Sequence, residues 1–174
     1  MSGARPIGST AELYAHALAI EREAAARYGT LARFMIERGN GSLGALFAHL
    51  AAREVQHAKS IAARTPGLDL PLLKPWQYGW SDAGPPEGVA QELASRLATP
   101  HDALKVGLES EQRSRDFYEQ VFATATDPDV KLLAAALAQE EAQHVEWLER
   151  ALATAPDPHI DWERFFAGPS GTTT

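Results

Sequence analysis

Residues 51–61 read AAREVQHAKSI, and residues 138–148 read AQEEAQHVEWL. Each stretch carries a Glu followed three residues later by a His: Glu54 and His57 in the first, Glu141 and His144 in the second. Residues three apart share one face of an α-helix, so each stretch can turn a carboxylate and an imidazole toward one point. Two further stretches pair off in the same way. Residues 19–28, AIEREAAARY, and residues 107–118, GLESEQRSRDFY, align Glu21 with Glu111 and Tyr28 with Tyr118. Glu21 and Glu111 stand 90 residues apart (111 − 21), and the two Glu-x-x-His pairs 87 apart (141 − 54). The chain therefore reads as a duplicated helical hairpin.

Working outward, the start and stop signals delimit four long helices. The first opens at Ser9, with Glu12 three residues on in the spacing of a capping box, and runs to about Arg38, where Gly39 stands as a C-terminal stop. The second runs from near Ser42 to about Arg64, ahead of Pro66 and Gly67. The third starts at Thr99 with Pro100 in the first helical position and runs to about Ala125. The fourth starts at Asp127, followed by Pro128, and runs to about Thr154. Short loops within each pair make antiparallel neighbours. Residues 65–98 form a long crossover containing PGLDLPLLKPWQYGWSDAGPP and then a shorter helical stretch near 86–97. Trp76, Tyr78 and Trp80 read as its anchor against the bundle or a subunit partner. Residues 1–155 are thus expected to form an all-α four-helix bundle of two antiparallel hairpins. Residues 156–174 are expected to form a partly disordered tail, with Ile160, Trp162, Phe165 and Phe166 marking a part that docks.

Composition narrows the chemistry. At 174 residues the chain has the size of one domain, large enough to bury a core without staples. It has no cysteine, which excludes disulfides, zinc ribbons, iron–sulfur clusters and a thiol nucleophile, so any metal is held by His and carboxylate. The net charge of −7 opposes binding to nucleic acid or an anionic membrane. The N-terminal MSGARPIGSTAEL has no secretory apolar stretch and no segment reaches spanning length, so a cytoplasmic location is the expectation.

Helical periodicity predicts the inward stripes. They run Leu13, Ala17, Glu21, Ala24, Tyr28, Leu31, Met35 in the first helix and Leu43, Phe47, Leu50, Glu54, His57, Ile61 in the second. They run Leu104, Leu108, Glu111, Ser114, Tyr118, Val121 in the third and Val130, Leu133, Leu137, Glu141, His144, Leu148 in the fourth. Each stripe is apolar except near its middle. The depths match too: the midpoint between Glu21 and the Glu54/His57 pair falls at about residue 38, and that between Glu111 and the Glu141/His144 pair at about residue 127, both at hairpin turns. Four carboxylates facing one another in a core cannot remain ionised uncompensated. Two divalent cations balance them, and Glu oxygens with neutral imidazoles suit iron or manganese. One Glu from each of two helices, with Glu-x-x-His from the other two, is the pattern of dinuclear iron and manganese carboxylate sites. The alternative on the same residues is a metal-free bundle whose Glu and His pair internally.

Glu21 with Tyr28, Glu54-Val55-Gln56-His57, Glu111 with Phe117-Tyr118, and Glu141-Ala142-Gln143-His144 together resemble the rubrerythrin-like branch of the ferritin-like superfamily. The resemblance covers the four helices. It implies a ferritin-like bundle with two iron ions, manganese being possible. It also implies a reaction with hydrogen peroxide or dioxygen, a role in oxidative stress, and a homodimer. By it, Glu54 and Glu141 would bridge both metals, while Glu21 with His57 and Glu111 with His144 would complete the shells; which His joins which metal stays open. Full-length rubrerythrins carry a cysteine-ligated rubredoxin module; here there is none, so an external electron donor is expected. Ser114 stands where rubrerythrins tend to have a further Glu, and the six-ligand set that remains is shared with ferritin-type oxidase centres. Iron binding and ferroxidase activity in a cage is the competing function.

Tyr28 and Tyr118, two turns beyond Glu21 and Glu111, could hydrogen-bond the ligands with Ser114 nearby, or serve as core aromatics. Glu23, Glu109 and Glu140 lie off the stripes, and a solvated role is expected for Glu140. Trp147 could shield the site or pack in the core. His16, His49, His101 and His159 lack the motif spacing and read as surface or capping residues.

Overall fold

The computed structural model describes residues 6–74 and 99–154. The short helix expected near 86–97, the Trp76, Tyr78 and Trp80 cluster, and the tail from 156 with His159 lie outside the described residues. The described chain forms four helices and no strand: α1 Thr10–Glu37, α2 Gly41–Ala62, α3 Pro100–Thr124 and α4 Pro128–Thr154.

The ends are set by the residues that signal them. Ser9 caps α1, its Oγ accepting from the amide of Glu12 at 3.2 Å. The reciprocal bond of a capping box goes elsewhere: Glu12 accepts from the amide of Gly8 at 2.9 Å, one residue before the cap. At α3 the full box forms between Thr99 and Asp102. Asp127 accepts from the amides of Asp129 and Val130 ahead of α4. After α1 the chain turns through Gly39 at φ +78°, with the amides of Gly39 and Asn40 bonded to the carbonyls of Ile36 and Met35. This pair of reversed bonds requires a left-handed residue, which glycine supplies without strain. Asn40 then caps α2.

α1 packs along α2 and α3 along α4, and the two hairpins meet with α2 beside α3 and α1 beside α4. Two apolar clusters fill the interior. One joins Tyr28, Leu31 and Met35 of α1 to Leu43, Phe47 and Leu50 of α2, Leu104 of α3 and Leu148 of α4. The other joins Leu13, Ala17 and Ile20 to Ile61, Tyr118, Val121, Val130 and Leu137. The start of α3 therefore lies at the end of the bundle where α1 turns into α2. The connection from α2 to α3 joins opposite ends, as a long crossover requires.

All seven predicted inward residues of α1 are buried. The stripes of the other helices hold with small rotations. Leu108 and Leu133 are half-buried, while Gly107 and Ala134 take the buried positions beside them. A 3.6-residue helix drifts against a fixed three–four pattern, and small residues are what fit where two helices come close. His57 and His144 are half-buried, unlike the glutamates beside them. None of the described helices is long and apolar enough to cross a membrane.

Candidate metal centre

Between the two apolar clusters each helix contributes one buried glutamate: Glu21 is 1 % exposed, Glu54 4 %, Glu111 4 % and Glu141 1 %. Glutamate is almost never this buried without a partner of opposite charge or a metal. Each reaches the interior because it occupies the middle of an apolar stripe, where the flanking turns of its helix are anchored in the core on both sides.

The six side chains converge. Three sets of donor atoms each lie within 4.8 Å of one another: Glu21, Glu54 and His57; Glu54, Glu111 and His144; His57, Glu141 and His144. Nδ1 of His57 lies 3.1 Å from Oε2 of Glu21, and Nδ1 of His144 lies 3.3 Å from Oε2 of Glu111. Glu54 belongs to both Glu–Glu–His sets. Glu141 turns one oxygen to each imidazole, Oε1 to His57 at 3.8 Å and Oε2 to His144 at 3.5 Å. The two rings meet edge to face with centroids 5.0 Å apart.

Three of these buried atoms have no hydrogen-bond partner: Oε1 of Glu21, Oε1 of Glu141 and Nδ1 of His57. Leaving a buried polar atom unpaired costs about 1–3 kcal/mol each. They belong to the groups whose donor atoms lie close enough together to hold a metal ion, and carboxylate oxygens with imidazole nitrogens are a donor set that suits one.

The electrostatics of the protein alone agree. Burial, with Glu141 nearby, raises the carboxyl of Glu21 well above its ordinary range. Burial and Glu111 do the same to Glu54, and burial with Glu111 lifts Glu141 to about 7. Burial disfavours the charge of Glu111 as well, but hydrogen bonds from His144 and Glu141 outweigh it and hold that carboxyl below its ordinary range. In the same way burial opposes the charge on His144, yet Glu111 and Glu141 raise it to about 10. The protein by itself thus favours a proton on Glu21, Glu54 and Glu141 and a charge pair between Glu111 and His144.

Two neighbours were not legible as part of it. Glu140 accepts from Nε2 of His57 at 2.9 Å and from Arg64 at 2.7 Å, and so is neither solvated nor idle. It is turned about 100° from Glu141, but α2 lies on that side and brings His57 to it. With Nε2 donating, Nδ1 of His57 keeps a lone pair for the centre. The second neighbour is Arg53, immediately before Glu54, whose guanidinium lies 4.3 Å from the ring centroid of Trp147. Trp147 itself is partly buried against the first apolar cluster.

Of the other residues weighed, Tyr28 is fully buried and directs its hydroxyl to the carbonyl of Gly107 at 3.5 Å. Tyr118 is fully buried with no hydrogen-bond partner for its hydroxyl, and burial followed by the charge of Glu21 raises its pKa. The hydroxyl of Ser114 donates to the carbonyl of Ser110 at 3.3 Å, within its own helix. Glu23 lies 3.9 Å from Arg27, and Glu109 is exposed. His16 is not a surface residue: it is buried, stacked on Phe117 at 5.8 Å, with Nδ1 donating to the carbonyl of Glu12. The ring of Phe117 across the bundle supplied the cover. His101 is exposed and His49 half-buried.

No protein-family model matches the sequence, and no curated protein does. Among solved structures the chain is similar to that of COG1633, an uncharacterised conserved protein from Magnetospirillum magnetotacticum MS-1. The two are 37% identical with a TM-score of 0.66, over 87% of this chain and 99% of that one.

Proposed function

This chain belongs to the COG1633 family of conserved proteins, which has a ferritin-like fold, and from that premise we propose that it is a di-iron carboxylate oxidoreductase similar to the rubrerythrins. It would reduce hydrogen peroxide or dioxygen at a dinuclear centre. The observation that carries this reading is the sharing of ligands: Glu54 lies in two Glu–Glu–His sets, and Glu141 presents a different oxygen to each imidazole.

In this reading Glu54 and Glu141 would be the carboxylates shared between the two ions, and Glu21 with His57 and Glu111 with His144 would supply the remaining ligands. Two divalent cations would balance four carboxylates and so offset the burial and mutual repulsion that raise the pKa values of Glu21, Glu54 and Glu141. When bound, the iron pair supplies two electrons to the oxidant and acts as a Lewis acid. The chain supplies the rest. Glu140, held by Arg64, fixes the ring of His57 with its proton on Nε2. The apolar clusters above and below exclude water. The hydroxyl of Tyr118 keeps its proton at the edge of the carboxylate layer. With no cysteine in the sequence, the electrons that restore the reduced state come from a separate donor. The working unit is proposed to be a homodimer.

The test is metal content per chain by mass spectrometry after anaerobic loading with ferrous iron. Absorbance is then followed on adding peroxide and, separately, air. Two irons per chain, with an oxo-bridge band in the near ultraviolet rising faster with peroxide, is the expected result. Faster oxidation by air shifts the activity to an oxidase or ferroxidase, and no stoichiometric metal removes the reading. Manganese accepts the same ligands, so parallel loading with it decides the metal.

A further inference from the structure

The duplication that builds the centre fails at the residues beside it. The offset of 87 that maps Glu54 onto Glu141 also maps Arg53 onto Glu140, Ser60 onto Trp147 and Arg64 onto Ala151. A symmetric pair of ligand sets is therefore flanked by opposite charges. On the His57 side, Glu140 and Arg64 close over the ring. On the His144 side stand a cation and an aromatic platform instead: the guanidinium of Arg53 over the ring of Trp147, one helical turn beyond His144.

Among the described residues the bundle has a cleft at this place. It has a volume of about 420 Å³ and is lined by His49, Ala52, Arg53, Gln56, His57 and His144. Both imidazoles line it. The side chain of His144 is 19 % exposed against 10 % for His57, so of the two imidazoles His144 is the more accessible. The charge of Arg53 reaches the ligands beneath it, since Arg53 is among the groups that lower the pKa of Glu111. Cation–π contact holds the guanidinium against the wall while its N–H groups remain able to donate.

A fixed positive charge in a cleft focuses the field on small anions and opposes divalent cations. We propose that this cleft is a binding site for a small monoanion of the hydroperoxide, azide or formate kind, drawn in and held by Arg53 over the His144 half of the centre. The inference rests on the dinuclear reading. It makes the two halves unequal: on the His57 half the ring is tied to Glu140 through Nε2, and the His144 half receives the anion. Trp147 is then a positioning residue for Arg53.

The experiment is an equilibrium titration of the diferric protein with sodium azide, read by the azide-to-iron charge-transfer absorbance. Iron per chain is measured first for every variant. Arg53→Gln is expected to keep two irons and weaken azide binding about tenfold or more, the scale of a charge-assisted hydrogen bond. Arg53→Lys is expected to recover part of it. His49→Glu places a negative charge at the mouth without touching a residue next to a ligand, and is expected to weaken azide as well. It decides the question should Arg53→Gln fail to fold or load. Unchanged azide affinity in the iron-loaded variants overturns this inference and leaves the dinuclear reading standing. A wild-type chain that takes up no iron overturns both.

Discussion

Glu140 of α4 accepts a hydrogen bond from Nε2 of His57 of α2 at 2.9 Å, and so decides which nitrogen of that ring faces the glutamates. Partners of this kind orient a metal-binding imidazole and raise its basicity, and their loss typically costs 10–100-fold in affinity. Glu140→Ala is expected to weaken ferrous binding by about that factor, measured by competition with a chromogenic chelator. Glu140→Gln keeps an acceptor oxygen and is expected to fall between the two. Wild-type affinity in Glu140→Ala would show that packing alone holds the ring.

Shared and terminal ligands respond differently to removal. Glu54→Ala and Glu141→Ala are each expected to abolish binding of two ions, with the helices retained by circular dichroism. Glu21→Ala removes a carboxylate that lies against one imidazole only, His57, whereas Glu141 faces both, and is expected to leave about one ion per chain. Two metals per chain in either Glu54→Ala or Glu141→Ala would mean that the carboxylate removed there does not bridge.

The metal-free protein is expected to lose stability as pH rises. Glu141 is raised from 4.5 to about 7 and His144 from 6.5 to about 10, so both hold more proton folded than unfolded. Their contribution is full below the unfolded value and disappears as pH climbs through the folded one. Glu21 and Glu54 shift in the same direction. Glu111 and Glu140, which are lowered, change only on the acid side of the ordinary carboxylate range. The melting temperature of the metal-free chain should therefore fall from about pH 5, as Glu141 begins to lose its proton, to about pH 10, where His144 loses its own. Divalent metal should reverse that slope, because binding displaces the same protons. A flat or rising metal-free profile would contradict the shared-proton cluster.

Two glycines give opposite expectations for one substitution. A Cβ at Gly44 would meet Cγ1 of Ile36 at 2.5 Å and the carbonyl oxygen of Ala32 at 3.2 Å, where α2 leaves the turn against α1. Gly44→Ala is expected to destabilise by about 1–3 kcal/mol despite the better helix former. At Gly107 the added carbon would meet Leu148 at 3.4 Å and Leu50 at 3.5 Å, contacts that side chains tolerate. Gly107→Ala is expected to be neutral or to gain up to about 1 kcal/mol. Urea unfolding of the two variants checks the pair.

Much of this was written locally. Periodicity placed Glu21, Glu54, Glu111 and Glu141 on apolar stripes, and a stripe that must be buried carries its middle residue in with it. Caps at Ser9, Thr99 and Asp127 and the left-handed turn at Gly39 are signals of a few residues, so the helix limits came within two or three positions. Equal distances from each turn set the depth of the ligands before any coordinates. What lay beyond the sequence was every relation that depends on how one helix is rotated against another. Nothing local distinguishes Glu140 from a solvated glutamate, because its partners His57 and Arg64 belong to α2. Nothing local buries His16, which is covered by Phe117 from α3. The same holds for Arg53 over Trp147. Helical period determines which residues face inward; the packing angle between helices determines which off-stripe side chains meet at the seams, and that angle is settled only by the whole core at once.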